Sequence, residues 1–311
     1  MSRKKITLIG GGQIGQIMAL LSAQKELGDV VILDIPAFEG PVKGKALDLM
    51  EMRPLEGYDV NITGTSDYAD IAGSDVIIIT AGVPRKPGMS RDDLLEINLG
   101  IISNVANNVK KYAPEAFVIV VSNPLDAIVY AFYKISGFAK NKVIGMAGAL
   151  DSARFKAFIA METGYSTQDV SCLVLGGHGD EMVPLTRLAT VGGVPVTELI
   201  DAETLEAIEK RTRMAGGEIV KLLGNGSAFF SPAQSAIEMA EAFLSDKKRV
   251  IPSAALCEGE YNIDGLFIGV PCVIGAGGIE KIIEVTLNDA EKAALKVTAE
   301  HVAAVVAETK L

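Results

Sequence analysis

Residues Lys5 to Asp34, KITLIGGGQIGQIMALLSAQKELGDVVILD, decide the fold, because they run strand, glycine turn, helix and second strand without a break. The apolar run Ile6-Thr7-Leu8-Ile9 has the length of a strand buried on both faces and passes directly into Gly10, Gly11 and Gly12. Gly10-x-Gly12-x-x-Gly15 then opens an apolar helix. In this pattern the first glycine permits a tight turn, the second lets backbone approach a pyrophosphate, and the third lets the helix pack close on the strand. The helix N-terminus adds unpaired N–H groups and partial positive charge for phosphates. A glycine-rich turn can also be purely structural, so the acidic residue that follows carries weight. Asp34 ends the second strand, Val30-Val31-Ile32-Leu33, nineteen residues after Gly15. A carboxylate there can bind a ribose diol, although it can also cap a strand end. Ile35 and Pro36 come next, with no Arg or Lys immediately after Asp34 to neutralise a 2′-phosphate, so NAD is expected over NADP.

At 311 residues the chain suits two intimately packed domains, and a hydrophobic content of 49% is ample for their cores. A net charge of −10 argues against nucleic acid or an anionic membrane surface as partner. Any anionic substrate must then be met by local arginines. No basic-plus-apolar signal peptide opens the chain and no eighteen uninterrupted apolar residues occur, which predicts a soluble, cytoplasmic protein without a membrane partner. Cys172, Cys257 and Cys272 each lie among apolar residues and are expected as buried thiols, neither a disulfide frame nor a metal site.

Outward from the opening unit, IPAFEGPVKG reads as a surface loop, followed by a helix from about Lys45 to Arg53 and a third strand over Val60 to Gly64. Asp67 to Gly73 is a polar connector. Val76-Ile77-Ile78-Ile79-Thr80 is apolar enough for a central strand of a parallel sheet. Strands joined by helical crossovers predict an α/β, doubly wound parallel sheet of the Rossmann type, whose ligands bind beyond the carboxyl ends of the strands. The loop AGVPRKPGMSRDDLLEIN follows, with Arg85, Lys86 and Arg91 in an otherwise acidic protein. Its prolines exclude helix and its glycines can hinge, which suits a lid over a ligand as well as a plain solvated basic loop. A helix then runs to about Tyr112. The fifth strand, Phe117 to Val121, ends in Ser122-Asn123-Pro124, where an amide can bind a carbonyl oxygen or a ribose, or simply cap a helix. Val143 to Gly145 completes a first domain, 1–147.

The remainder, 148–311, reads as a mixed α+β substrate domain. LDSARFKAFIAMETG is an amphipathic helix, followed by a strand over Val170 to Leu175 and the turn Gly176-Gly177-His178-Gly179-Asp180. A histidine among glycines after an apolar strand is accessible and can exchange a proton near neutral pH. A turn residue with an unusual backbone angle is the plainer alternative. The other histidine, His301, lies in a helix and reads as a surface residue. Helices are expected from about Ala202 to Leu223, from Pro232 to Leu244 and from about Asp289, with strands around Ala254–Cys257 and Phe267–Ile274.

The motifs GGGQIG, ITAGVPRKPGMSR, VSNPLD, LDSARF and GGHGDE stand in the order and spacing of the lactate and malate dehydrogenase family, and the resemblance covers essentially the whole chain. It is closest to the branch that interconverts malate and oxaloacetate with NAD. The resemblance implies that His178 is the proton donor and acceptor, that Asp151 orients its imidazole, and that Arg154 grips the substrate carboxylate. Arg91 would polarise the carbonyl with Asn123 on the same oxygen, and Arg85 would pair with the second carboxylate. NAD would lie on Gly10, Gly12, Gln13, Ile14, Gly15, Asp34, Asn98, Val121, Ser122 and Asn123, with no metal. A homo-oligomer, tetramer or dimer, is also implied. Apolar helical faces such as Ile237, Met239, Ala240 and Phe243 could serve that contact or be ordinary core.

Three alternatives compete. A lactate or other 2-hydroxyacid dehydrogenase is disfavoured by Arg85, which would be left unpaired beside a neutral methyl group. A non-catalytic NAD-binding protein has no need of His178, Asp151 and three arginines. An NAD-dependent glycosidase requires a metal site that the cysteines do not supply.

Overall fold

The computed structural model describes residues 3–83 and 91–311, with residues 91–93 described by backbone alone. Its first half consists of β1 (Lys5–Ile9), α1 (Gln13–Gln24), β2 (Asp29–Leu33), α2 (Glu39–Glu56), β3 (Ile62–Thr65), β4 (Val76–Ile79), α3 (Arg91–Tyr112), β5 (Phe117–Val120), α4 (Leu125–Ser136) and β6 (Val143–Gly145). These six strands pair in parallel in the order β3-β2-β1-β4-β5-β6. The chain winds away from β1 in both directions, which opens a crevice beyond the carboxyl ends of β1 and β4.

Every position of β4 is apolar because the sheet is covered on both faces. Side chains alternate along a strand. Leu8, Ile32, Ile78 and Ile119 therefore enter a core shared with Met18 and Ala19 of α1 and Val42 and Ala46 of α2. Their neighbours Ile9, Leu33, Ile77, Ile79 and Val120 enter a second core with Ile102 and Val105 of α3 and Ile128 and Phe132 of α4. Val76, Ile77, Ile78 and Ile79 are fully buried, each worth roughly 1.5–3 kcal/mol by transfer from water.

The second half comprises α5 (Gly148–Thr163), β7 (Val170–Ser171), β8 (Val174–Leu175), β9 (Val183–Pro184), β10 (Thr190–Val191), β11 (Val194–Pro195), α6 (Ala202–Leu223), α7 (Phe230–Leu244), β12 (Arg249–Glu258), β13 (Asp264–Gly275), β14 (Gly278–Ile282) and α8 (Asp289–Glu308). It is mixed α+β, as expected. The strands β12, β13 and β14 do not form a separate sheet. They run antiparallel and join β6 through Ala254 and Gly145, giving nine strands in the order β14-β13-β12-β6-β5-β4-β1-β2-β3.

Local readings differ from the structure at three places, and one left open is decided. The expected loop before Lys45 is largely helix, since α2 starts at Glu39. Pro41 is tolerated there because N–H groups of a first turn have no intrahelical partner, and burial of Val42 and Ala46 holds the helix on the sheet. The connector after Asp67 contains a 3₁₀ turn, Tyr68–Ile71, capped by the Asp67 carboxylate. The expected strand Val170 to Leu175 is two strands in two sheets, because Ser152 Oγ takes the Val174 N–H at 3.0 Å and the chain changes partner there. Ile237, Met239 and Ala240 are fully buried, and Phe243 stacks on Phe117 with centroids 4.6 Å apart, so this helical face is core. Among the described residues no helix is long and apolar enough to cross a membrane.

Candidate active site

The glycine turn joins β1 to α1 as its pattern requires. A Cβ on Gly15 would lie 2.1 Å from the Gly10 carbonyl oxygen, so only glycine lets α1 come this close to the strand. At Gly12 a Cβ would meet nothing within 4 Å, which leaves that backbone open to a ligand. The first turn of α1 has no side-chain cap and no acidic residue, so its N–H groups and positive dipole end remain available to an anion. Gln13 is exposed and Ile14 half-buried beside it. Asp34, half-buried at the end of β2, accepts the Gly11 N–H on Oδ2 and the Ile35 N–H on Oδ1, each at 2.8 Å. A carboxylate has further lone pairs, so this anchoring leaves acceptor capacity for a diol. Lys45 donates to the Gly11 carbonyl and braces the turn from α2.

Across the switch point, Val121 and Ser122 are buried, and the Ser122 hydroxyl donates to Ala81 O at 2.6 Å. Asn123 is exposed at the strand end. Asn98, on α3, is only 2% exposed. Its Oδ1 accepts the Val83 N–H at 2.9 Å, and its Nδ2 donates to Asn123 O at 2.7 Å and Val83 O at 3.3 Å. The residue expected to touch the cofactor thus has both amide protons committed to bracing the strand ends. Arg85 lies outside the described residues. Arg91 opens α3, but its side chain is also outside them.

The second half brings His178 and Asp151 together. Asp151, 2% exposed in the first turn of α5, places Oδ2 2.9 Å from His178 Nδ1. Its Oδ1 accepts from Arg154 Nη1 at 3.3 Å, one helical turn later. Burial pushes the His178 imidazole down, but the Asp151 carboxylate, joined by Asp126, outweighs burial and holds it above its ordinary value. Arg154 is largely buried against α6 near Gly216, and its Nε has no hydrogen-bond partner among the described residues. A guanidinium held by Asp151 on one side, with its buried Nε unpartnered among the described residues, suits a carboxylate ligand.

Two residues not singled out from the sequence also reach this turn. Asp126, at the start of α4, accepts the His178 N–H on Oδ2 at 2.9 Å, and burial pushes its carboxyl up to about 6. Thr298, on α8, accepts the Gly177 N–H at 2.9 Å. Asp126 was visible only as the acid of VSNPLD, and Thr298 had no local signal. The cysteines are buried thiols as expected, with burial pushing Cys172 and Cys257 up to about 12. His301 is exposed, 3.8 Å from Glu181. Among the described residues no His, Cys, Asp and Glu side chains cluster as a metal site.

Known proteins match this chain along its whole length. Residues 4–145 match the lactate/malate dehydrogenase NAD binding domain, and residues 148–310 the lactate/malate dehydrogenase alpha/beta C-terminal domain. A malate dehydrogenase of Myxococcus xanthus is 62% identical over 309 residues, covering 99% of this chain and 98% of the other. The crystal structure of Cryptosporidium parvum malate dehydrogenase superposes with a TM-score of 0.96 at 49% identity, covering 99% of both chains. The lactate dehydrogenase of the same organism, solved with lactic acid and nicotinamide adenine dinucleotide, also reaches 0.96, at 45% identity over 100% of this chain and 99% of its own. The backbone is thus common to both activities, and by sequence and fold this chain belongs to the lactate/malate dehydrogenase family.

Proposed function

We propose that the chain is an NAD-dependent malate dehydrogenase, with His178 as the group that moves the proton. The observation that carries the reading is the 2.9 Å contact of His178 Nδ1 with the buried Asp151 carboxylate, one helical turn from Arg154. The residues present fit NAD: an open backbone at Gly12, uncapped N–H groups on α1, and Asp34 at the end of β2. Bound there, NAD supplies the hydride acceptor for malate oxidation and the donor for the reverse reaction. Asp34 accepts hydrogen bonds from the adenosine ribose and repels a 2′-phosphate.

Asp151 holds Nδ1, so Nε2 is the nitrogen left to serve substrate. During oxaloacetate reduction the imidazolium gives the Nε2 proton to the carbonyl oxygen. During malate oxidation the neutral ring takes the hydroxyl proton, and the Asp151 carboxylate stabilises the imidazolium that forms. Arg154 grips the substrate's near carboxylate, Arg91 offsets charge developing on oxygen, and Asn123 hydrogen-bonds that oxygen. Arg85 pairs with the far carboxylate and excludes pyruvate, whose methyl would leave it unpartnered. Three buried free cysteines suit a reducing compartment, and we assign the protein to the cytoplasm as a homo-oligomer, tetramer or dimer, without nucleic-acid or membrane partner. For a subunit contact, exposed Met161, Tyr165, Met214 and Leu222 replace the buried α7 face.

The test is NADH oxidation with oxaloacetate and with pyruvate, repeated with NADPH and with Arg85→Gln. Oxaloacetate and NADH should win by wide margins, and R85Q should lower kcat/KM for oxaloacetate by roughly a hundredfold or more while pyruvate gains modestly. Equal rates with pyruvate would overturn the substrate, and equal use of NADPH would overturn the role of Asp34.

A further inference from the structure

The turn that carries His178 is gripped from three elements outside the Asp151 contact. Gly176 exchanges backbone hydrogen bonds of 2.9 and 3.0 Å with Gly269 on β13. Gly177 donates to Thr298 Oγ1 on α8, and His178 donates its main-chain N–H to Asp126 Oδ2 on α4. Three consecutive N–H groups are thereby tied to three different elements. The fit leaves no slack. A Cβ at Gly177 would lie 2.6 Å from Val302 Cγ2, 3.2 Å from Thr298 Oγ1 and 3.3 Å from Asp126 Oδ2.

Neither partner is explained by its own helix. An acid in a first turn ordinarily serves that helix's dipole, whereas Asp126 reaches a backbone group 52 residues away. Its other oxygen, Oδ1, is buried without a hydrogen-bond partner among the described residues. Thr298 is 2% exposed in mid-helix, with its oxygen turned to Gly177 rather than to solvent.

We propose that Asp126 and Thr298 are positioning residues for His178, Thr298 by locking the turn and Asp126 by holding the histidine main chain and presenting a second carboxylate behind the imidazole. The two act differently. Thr298 supplies only an acceptor, so its effect is geometric. Asp126 supplies an acceptor, which asparagine can replace, and a negative charge, which asparagine cannot. The charged groups facing His178 among the described residues are Asp151 and Arg154 from α5 and Asp126 from α4. Removing the Asp126 charge leaves Asp151 alone against burial and Arg154.

The inference rests on His178 being the proton-transfer group of the function proposed above, and its test reads that group directly. The chain has two histidines, so nitrogen-15 histidine spectra of the full-length protein resolve His178 against His301 as an internal reference. In Asp126→Asn the His178 titration midpoint should fall by about one unit with His301 unmoved, and the pH profile of oxaloacetate reduction should shift by the same amount. Thr298→Val, nearly isosteric, should lower kcat about tenfold with KM for NADH unchanged and the His178 midpoint unmoved, and Thr298→Ser should restore kcat. Thermal unfolding of each variant establishes that it is folded. A wild-type His178 midpoint in D126N, or wild-type kcat in T298V, overturns the proposal. A folded wild type that does not turn over oxaloacetate overturns the functional reading instead, and the titration arm still decides the role of Asp126.

Discussion

Replacing Asp151 by asparagine preserves shape and removes one charge at the point where the site concentrates its electrostatics. Asp151 is 2% exposed, with Oδ2 2.9 Å from His178 Nδ1 and Oδ1 3.3 Å from Arg154 Nη1. An opposite charge at such range commonly moves a pKa by about 1–3 units, or roughly 1.4–4 kcal/mol. Burial already pushes the imidazole down, and with Asp151 neutral only the Asp126 carboxylate opposes it, so His178 drops below its ordinary value. At any pH above the wild-type midpoint, each unit of fall cuts the imidazolium available for oxaloacetate reduction by about tenfold. The asparagine amide can also donate where the carboxylate accepted, which favours the wrong imidazole tautomer and adds a further loss. Asp151→Asn should therefore lower kcat for oxaloacetate reduction by about two to three orders of magnitude at pH 7.5. The sign in pH follows: wild-type reduction declines as pH rises through the raised His178 pKa, and in the variant this decline begins at lower pH. Initial rates of NADH oxidation from pH 5.5 to 9, with NADH affinity measured by fluorescence, separate chemistry from binding. A variant with kcat within threefold of wild type and an unshifted pH limb would refute the reasoning.

The two turn glycines, Gly12 and Gly15, should fail in different ways. Gly12→Ala should fold with unchanged stability, because a Cβ there meets nothing within 4 Å at φ −68°, yet weaken NADH binding about tenfold or more by standing where phosphate must approach. Gly15→Ala should cost about 1–3 kcal/mol in denaturant unfolding, because its Cβ would be 2.1 Å from a backbone oxygen. The opposite pattern would remove the phosphate role of Gly12. Asp126→Asn should gain stability at neutral pH. The carboxyl is raised by burial from 3.8 to about 6, so the folded state binds its proton more tightly and loses stability as pH climbs between those values. Relief in the variant, about 1–2 kcal/mol after allowance for partial exposure, should be present at pH 7 and gone below pH 4. Urea midpoints equally lowered at both pH values would contradict it.

Much of the molecule is legible along the chain because its determinants are local. The run Ile6 to Ile9, the Gly10-Gly12-Gly15 spacing and Asp34 specify a strand, a glycine turn into a helix and an acid at the next strand's end within thirty residues, and the unbroken apolar β4 announces a sheet covered on both faces. His178 stood out because glycine flanks and a preceding apolar strand are visible to its immediate neighbours. Where local propensity competed with tertiary burial, the local signal lost: Gly40 and Pro41 read as loop, but packing of Val42 and Ala46 draws them into α2.

What only the tertiary structure decided are relations between distant segments. The apolar face of α7 could be interface or core until Phe243 was seen stacked on Phe117. The antiparallel strands β12 to β14 continue the parallel sheet through a contact between Ala254 and Gly145, which no periodicity encodes. Asn98 on α3 ties Val83 to Asn123, segments that follow β4 and β5, through its amide protons. Asp126 and Thr298 meet the histidine turn across 52 and 121 residues of chain. A side chain's chemistry is written in the sequence, but the partner that uses it is set by which helices cross which strands, and that is determined by packing of the whole core.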